Sequence, residues 1–148
     1  MTPEQIFSVV NLLALAGWVL LAVLPGRAWV SKAIAAGVVP VLAVVYTGLI
    51  AFNWRGSEGG FGSLAEVTQL FANPWLLLAG WTHYLAFDLF VGSWEVRDAR
   101  SRGISHGLVL PCLVLTFLFG PAGWLLYMSV RAWRDVGPFE AAASRLSR

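Results

Sequence analysis

The sequence predicts an all-α membrane protein: a bundle of four transmembrane helices with a short interfacial helix between spans two and three. Hydrophobic residues make up 58% of the 148 residues and charged residues only 12%, whereas soluble domains carry about 25% charged residues. Four apolar runs, 5–24, 33–53, 75–95 and 106–131, are long enough for a helix to cross a bilayer, which takes roughly 20 residues. We therefore expect one four-span domain over residues 1–148, integral to a bacterial inner membrane or an organellar membrane.

The first apolar run is predicted to be a retained span. It lacks a basic segment before it and is longer than the apolar part of a secretory signal. Pro25 and Gly26 follow it and are expected to end the first helix. The connection after the second run is rich in glycine and is expected to be the most flexible segment; its glycines are Gly56, Gly59, Gly60 and Gly62.

The stretch "SLAEVTQLFANP" predicts a short amphipathic helix that lies in the membrane interface. Ser63 and Glu66 have the spacing of a capping box. Pro74 suits the first turn of the third span, and Gly103 is expected to end it. The apolar face of the short helix is formed by Leu64, Val67, Leu70 and Phe71.

The charged residues give little information about partners or orientation. The ten basic residues are spread over loops and the tail, so no nucleic-acid surface is expected. Cys112 is the only cysteine, which excludes an internal disulfide. A four-span path places five basic residues on each side of the membrane, so the positive-inside rule does not orient the chain. Those on the side of the N-terminus are Arg55, Arg131, Arg134, Arg145 and Arg148, and those opposite are Arg27, Lys32, Arg97, Arg100 and Arg102.

A polar stripe runs along the third span. Asp88 is expected near mid-membrane, where a carboxylate is costly and usually functional. Residues Trp81, Asp88, Glu95 and Arg102 repeat every seven positions, and the adjacent row holds Tyr84, Val91 and Asp98. This stripe is expected to face other helices or a wet cavity.

The two histidines lie apart from that stripe or at its end. His83 is about 140° around the helix from Asp88, so joint chemistry would need a third helix or a distorted backbone. His106 opens the fourth span on the side where the third one ends, at the membrane depth expected for Glu95 and Asp98.

Structural roles compete with functional ones at each position. For Asp88 the structural alternative is a hydrogen bond to Tyr46 or Trp81. For Glu95 and Asp98 it is an ion pair at the membrane interface. The His106 side chain suits a helix cap. His83 suits a buried, hydrogen-bonded histidine, and Cys112 suits packing.

A divalent metal is an alternative use of the same polar residues, because imidazole and carboxylate ligate several such ions. The alternative ligands are His83, Asp88, Glu95, Asp98 and His106. Their spacing matches no diagnostic metal motif, and the sequence has no H-E-x-x-H, Walker loop, G-x-G-x-x-G or G-x-S-x-G.

Residues 80–127, "GWTHYLAFDLFVGSWEVRDARSRGISHGLVLPCLVLTFLFGPAGWLLY", resemble the plant neoxanthin synthase family, of the abscisic-acid-deficient type, and its bacterial relatives. The resemblance extends more loosely over nearly the whole chain. It implies an epoxide isomerisation like that of violaxanthin to neoxanthin, in which an acid opens the epoxide and a base removes a neighbouring proton. No electron carrier is required, so no cofactor is expected.

Chemistry and position then suggest roles for the marked residues. Asp88 is predicted to be the acid and Glu95 or His83 the base, since a carboxylic acid in an apolar site can donate a proton. The pair Asp98 and His106 is predicted to support them. Residues expected to contact the substrate are Trp81, Tyr84, Trp94, Tyr46 and Asn53.

Three other functions remain open from the sequence: a metal-dependent membrane enzyme, a non-catalytic pigment-binding or assembly factor, and a proton or ion transporter. The expected partners are a lipid-soluble, carotenoid-like molecule and membrane lipid. A thin bundle would hold a rod-like substrate in a groove open to lipid or between subunits, so a homodimer is also expected.

Overall fold

The computed structural model describes residues 1–146, with side chains described to residue 134, and within that range it contains helices and no strand. The predicted all-α class is therefore confirmed. The six helices are α1 (Pro3–Val23), α2 (Ala28–Asn53), α3 (Leu64–Phe71), α4 (Pro74–Ser101), α5 (His106–Phe119) and α6 (Pro121–Leu146).

Helix α1 begins at a complete capping box that the sequence analysis did not predict. The Thr2 hydroxyl accepts from the Gln5 backbone N–H, and the Gln5 side chain accepts from the Thr2 N–H at 2.9 Å. These bonds satisfy two of the donors that a helix start leaves open. The helix ends at Val23, just before Pro25, as predicted.

Helix α2 begins at Ala28, earlier than the predicted boundary at residue 33, and contains a π-helical segment at Ile34–Val38. Within residues 1–146, α1 and α2 are the two helices long and apolar enough to cross a membrane. Less than a third of each is buried inside the fold. Their apolar side chains therefore face mostly outward.

The short helix α3 forms where it was predicted, but its cap differs in detail. The Ser63 hydroxyl accepts from the Glu66 N–H at 3.2 Å. The Glu66 carboxylate accepts from Gly62 N–H at 3.1 Å and does not close the box on Ser63. Pro74 occupies the first turn of α4, and α4 ends just before Gly103, as expected.

Helix α4 is the central helix of the fold, because α1, α2, α3, α5 and α6 all pack against it. Two glycines permit close packing against α1. The backbone of Gly92 lies against the Trp18 ring, and Gly17 lies against the Leu89 side chain. A Cβ at Gly92 would collide with the Trp18 ring, and one at Gly17 would press on the Leu89 side chain, so these contacts set how closely α1 approaches α4.

The prediction of one helix across residues 106–131 is wrong. Helix α5 ends at Phe119, and α6 begins at Pro121. Gly120 between them has φ +44°, a left-handed conformation that side chains rarely adopt. Proline cannot continue the hydrogen-bonding ladder of the preceding helix, so "GP" ends one helix and begins the next.

The chain reverses direction at this break. Along α5, Thr116 contacts Glu95 and Gly120 contacts Asp88, so the later residue meets the earlier turn of α4. Helix α5 is thus antiparallel to α4.

Along α6 the order is the opposite. Tyr127 packs on Trp94, and Arg131, one turn further, reaches Asp98. Helix α6 is therefore parallel to α4 and returns to the end from which α5 started. We call α5 and α6 together the α5–α6 hairpin, with its tip at Gly120.

This reversal corrects the predicted position of Arg131. The four-span path placed it on the opposite side from Asp98 and Arg102. In the structure its Nε lies 3.7 Å from the Asp98 Oδ2. The predicted bundle of four spans is not confirmed, because the fourth apolar run enters and leaves at the same end of α4.

Candidate active site at the hairpin tip

Asp88 lies on α4 beside the tip of the α5–α6 hairpin. Its carboxyl is next to the Tyr84 hydroxyl and against the Gly120 backbone, where an added Cβ would come within 2.8 Å of Oδ1. Oδ2 is buried and has no hydrogen-bond partner among the described residues. The glycine at the tip thus makes room for the carboxyl.

Glu95 lies two turns further along the same face and is completely buried. Its Oε1 accepts a 3.0 Å hydrogen bond from the Thr116 hydroxyl of α5. Its Oε2, like Oδ2 of Asp88, is buried without a partner within the described part of the chain. The two carboxyls are close enough for their charges to interact. Together they form an acidic pair between α4 and α5.

Tyr84 joins this pair to the end of α5. Its hydroxyl donates a 2.9 Å hydrogen bond to the Phe117 carbonyl, which lies in the last turn of that helix. Its ring also packs on Trp81, with ring centroids 5.4 Å apart. Tyr84 therefore supplies a hydrogen bond to a backbone carbonyl that the end of α5 leaves without a helical partner. The same side chain also lines the acidic pair.

A second cluster lies at the C-terminal end of α4, around Asp98. The Tyr127 hydroxyl donates to Oδ2 of Asp98 at 2.7 Å, and Arg102 donates to both carboxylate oxygens at 3.0 and 3.1 Å. Tyr127 is fully buried and packs edge-on against Trp94. The predicted ion pair of Asp98 thus exists, with Arg131 as a second cation.

Asp98 lies beyond the predicted span 75–95, at the end of the bundle. Burial by itself raises the pKa of this carboxyl, but the hydrogen bonds from Tyr127 and Arg102 and the nearby positive charges outweigh burial. The pKa is therefore held below its ordinary value. The ionised side chain of Asp98 is therefore suited to holding α6 against α4.

His106 and Asp98 were predicted to act as a supporting pair, but they contact different partners. The His106 Nε2 lies 2.8 Å from the Ala22 carbonyl oxygen at the end of α1. The contact ties the start of α5 to α1. The predicted role of His106 as a helix cap is wrong, because His106 is the first residue of α5 and the cap position is Ser105.

His83 is exposed and lies away from the acidic pair. Its ring stacks on Phe87 at 4.5 Å and lies 5.4 Å from Tyr46 of α2. The separation of His83 from Asp88 that the helical period predicted is found in the structure. Among the described residues, His83 contacts Phe87 and Tyr46 and not Asp88, whereas the Asp88 charge acts on the other predicted base, Glu95.

The remaining predicted contact residues lie toward the N-terminal end of α4. The Trp81 indole N–H donates to the Asn11 Oδ1 at 3.2 Å. Asn53, at the end of α2, donates to the Leu49 carbonyl. The structure therefore separates the predicted site into an acidic pair, an ion-pair cluster at one end, and aromatic or amide side chains toward the other.

The alternative metal ligands are distributed over these separate places. Among the residues whose side chains are described, no three of His, Cys, Asp and Glu form a group that could hold a metal ion.

Sequence reasoning did not assign Thr116 and Tyr127 to the site. Both are polar residues in an otherwise apolar run, and this was the available signal. Their partners lie 21 and 29 residues away in the chain, so no local pattern pairs them.

The comparison with known families decides the relationship. The family model ABA DEFICIENT 4-like matches residues 5–127. The chain belongs to the ABA DEFICIENT 4-like family. This membership confirms the resemblance read from residues 80–127, and the matched region contains both carboxyls of the acidic pair.

Membership of the ABA DEFICIENT 4-like family points to a role related to neoxanthin and abscisic-acid biosynthesis. Together with the two apolar helices α1 and α2, it also indicates a membrane location. No curated protein matches the chain, and no solved structure matches it.

Proposed function

We propose that this chain is a multi-pass integral membrane isomerase that opens the epoxide of a carotenoid or a related isoprenoid. One observation carries the proposal: Asp88 and Glu95 each keep a buried oxygen without a partner among the described residues. Family membership supports the choice of substrate class, since the ABA DEFICIENT 4-like family points to a role related to neoxanthin biosynthesis.

A purely structural role explains the acidic pair poorly. Buried polar atoms in folded proteins nearly always have hydrogen-bond partners, because an unsatisfied one costs about 1–3 kcal/mol. Carboxyls in a membrane interior are rarer still and usually functional. Two neighbouring carboxyls, each with an unpartnered oxygen, suit groups that hydrogen-bond to something the chain itself does not contain.

The proposed reaction uses these two groups in turn. Asp88, protonated, delivers its proton to the epoxide oxygen, and the C–O bond breaks toward a tertiary carbocation. Glu95, as the carboxylate, takes a proton from the neighbouring carbon, and the electron pair of that C–H bond completes an allene. One proton is given and one is taken, so substrate and product are isomers and no electron carrier is needed.

Aromatic side chains near the acidic pair suit a cationic intermediate. Tyr84 adjoins Asp88, and Trp81 packs on Tyr84. The face of an aromatic ring attracts positive charge, by about 0.5–2 kcal/mol. We assign the stabilisation of the carbocation to these two rings, which the sequence analysis predicted to contact the substrate.

The test is turnover by the purified protein in detergent or liposomes, with violaxanthin as substrate. Asp88→Asn keeps the side-chain volume but cannot act as the acid, and we expect turnover to fall by at least about 10²-fold. Glu58→Gln, an exposed carboxyl in the connection before α3, is the matched control and should keep full activity. An Asp88→Asn protein that remains active overturns the assignment.

The same preparation separates the competing functions. Wild-type protein that binds the carotenoid but never converts it indicates the pigment-binding factor. Stoichiometric metal in the purified protein, lost in Asp88→Ala, indicates the metal-dependent enzyme. A detergent-corrected mass tests the predicted homodimer, and a monomer alone counts against it.

A further inference from the structure

The two ends of the helical bundle differ sharply in charge once the hairpin is taken into account. Of the eight basic residues within residues 1–134, only Arg55 lies at the end formed by the N-terminus and the α2–α3 connection. The other seven lie at the opposite end, which we call the basic end: Arg27, Lys32, Arg97, Arg100, Arg102, Arg131 and Arg134.

Direct contacts hold the last turns of α4 against the α1–α2 connection and the start of α2 at the basic end. Arg100 donates to the Gly26 carbonyl at 2.8 Å, and Arg97 donates to the Ser31 carbonyl at 3.1 Å. The ion pair between Arg131 and Asp98 adds α6 to the same end. The even division of charge expected from four spans does not apply to this arrangement.

Helix α5 is too short to cross a bilayer before the chain turns back at the tip of the α5–α6 hairpin. Helix α5 has 14 residues and a length of about 21 Å, against a hydrocarbon core of about 30 Å. Its tip lies beside Asp88, which the sequence places near mid-membrane. Both arms carry exposed apolar side chains near the tip: Leu110, Val114, Leu118, Phe119, Trp124 and Leu125.

The open backbone at the tip is covered by protein. Gly120 is buried between α4 and the hairpin arms. The Phe117 carbonyl accepts from the Tyr84 hydroxyl, and the Gly120 carbonyl accepts from the Gly123 N–H at 3.0 Å. Irregular backbone is tolerated at membrane depth only where it is buried and hydrogen-bonded in this way.

We propose that the chain crosses the membrane three times, through α1, α2 and α4, and that the α5–α6 hairpin is re-entrant, entering and leaving on the cytoplasmic side. The basic end then faces the anionic headgroups of the cytoplasmic leaflet. Basic residues in short connections fix the orientation of membrane proteins in this sense. The proposal rests on the multi-pass membrane location proposed above, but it does not depend on the isomerase activity.

Single-cysteine labelling in intact bacterial cells and in inside-out vesicles tests this arrangement. The background is Cys112→Ser, because a serine hydroxyl can keep the 3.3 Å contact that Cys112 makes with the Leu108 carbonyl. Cysteines are then placed one at a time as Ser57→Cys, Ser101→Cys and Arg134→Cys. The probe is a membrane-impermeant maleimide.

We expect Ser57→Cys to react in intact cells, and Ser101→Cys and Arg134→Cys to react only in inside-out vesicles. If Arg134→Cys reacts from the same side as Ser57→Cys, the fourth run crosses the membrane and the hairpin proposal fails. If Ser101→Cys and Arg134→Cys both react in intact cells, the orientation is overturned.

A second measurement avoids substitutions altogether. The wild-type chain is fused at its C-terminus to alkaline phosphatase, which is active only outside the cytoplasm, or to a fluorescent protein that folds in the cytoplasm. We expect fluorescence and no phosphatase activity. Phosphatase activity in this fusion contradicts the proposal even if the cysteine variants fold poorly, and neither readout measures turnover.

Discussion

The Thr116 hydroxyl of α5 donates a 3.0 Å hydrogen bond to Oε1 of Glu95 on α4, inside the bundle. This bond joins the Glu95 side of the acidic pair to the α5–α6 hairpin. Because Oε2 of Glu95 has no partner in the described part of the chain, this bond holds the carboxyl in place while one oxygen stays available. The hydrogen bond between Thr116 and Glu95 therefore contributes both to the stability of the fold and to the proposed chemistry.

Thr116→Val replaces the hydroxyl by a methyl group of similar size and leaves Glu95 without its donor. We expect the free energy of unfolding to fall by about 1–3 kcal/mol, since a buried acceptor loses its partner. Thr116→Ser should restore most of it. Thr47→Val, an exposed threonine on α2, is the control and should stay within about 0.5 kcal/mol. Chemical denaturation in mixed micelles measures all three.

Glu95→Met distinguishes a functional carboxyl from a structural one. Replacing a poorly satisfied buried carboxyl by an apolar side chain is usually neutral or stabilising. We expect stability to stay the same or rise by up to about 2 kcal/mol, while turnover falls by at least about 10²-fold. A stability loss of more than about 2 kcal/mol, with activity retained, would indicate that Glu95 is there for the fold.

Gly123→Ala tests the close approach at the hairpin tip. An added Cβ would collide with the backbone and hydroxyl of Thr116, so we expect a loss of about 1–3 kcal/mol. Gly107→Ala is the matched control in the first turn of α5, where nothing lies near the added methyl group. It should change stability by less than about 1 kcal/mol, in the stabilising direction. Equal effects at both glycines would contradict the packing.

Tyr127→Phe removes the 2.7 Å hydrogen bond to Asp98 but keeps the ring against Trp94. We expect a loss of about 1.5 kcal/mol, typical of a hydrogen bond to a charged group. Thermal unfolding followed by tryptophan fluorescence measures it. The double variant with Asp98→Asn should lose less than the sum of the single losses, because both changes break the same bond; an additive result argues against the contact.

Asp98 also predicts a pH dependence of stability. Its pKa in the folded chain is lowered, so the unfolded chain binds the proton more readily. The stability it contributes is present above the unfolded pKa, about 3.9, and is lost as the pH falls through the folded pKa. We expect Asp98→Asn to flatten the unfolding curve between about pH 5 and pH 2; an unchanged slope contradicts the shift.

The sequence by itself determined the all-α class, the polar stripe on α4 and the family. Long apolar runs form helices in lipid because the backbone has no other partner there, and the helical period alone separates His83 from Asp88. "NP" at the start of α4 and Gly103 after its end are also local signals, because they mark where the helix begins and ends. These features depend on residues only a few positions apart, so local sequence patterns are enough to predict them.

Only the tertiary structure decided that the fourth apolar run turns back. Gly120 and Pro121 permit either a kink or a reversal, and the local sequence does not choose between them. The choice depends on contacts between residues far apart in the chain, namely Gly120 with Asp88, Thr116 with Glu95 and Tyr127 with Asp98. Such contacts act only after α4 has been placed beside the hairpin, so they set the end at which Arg131 lies and bring Thr116 to the acidic pair.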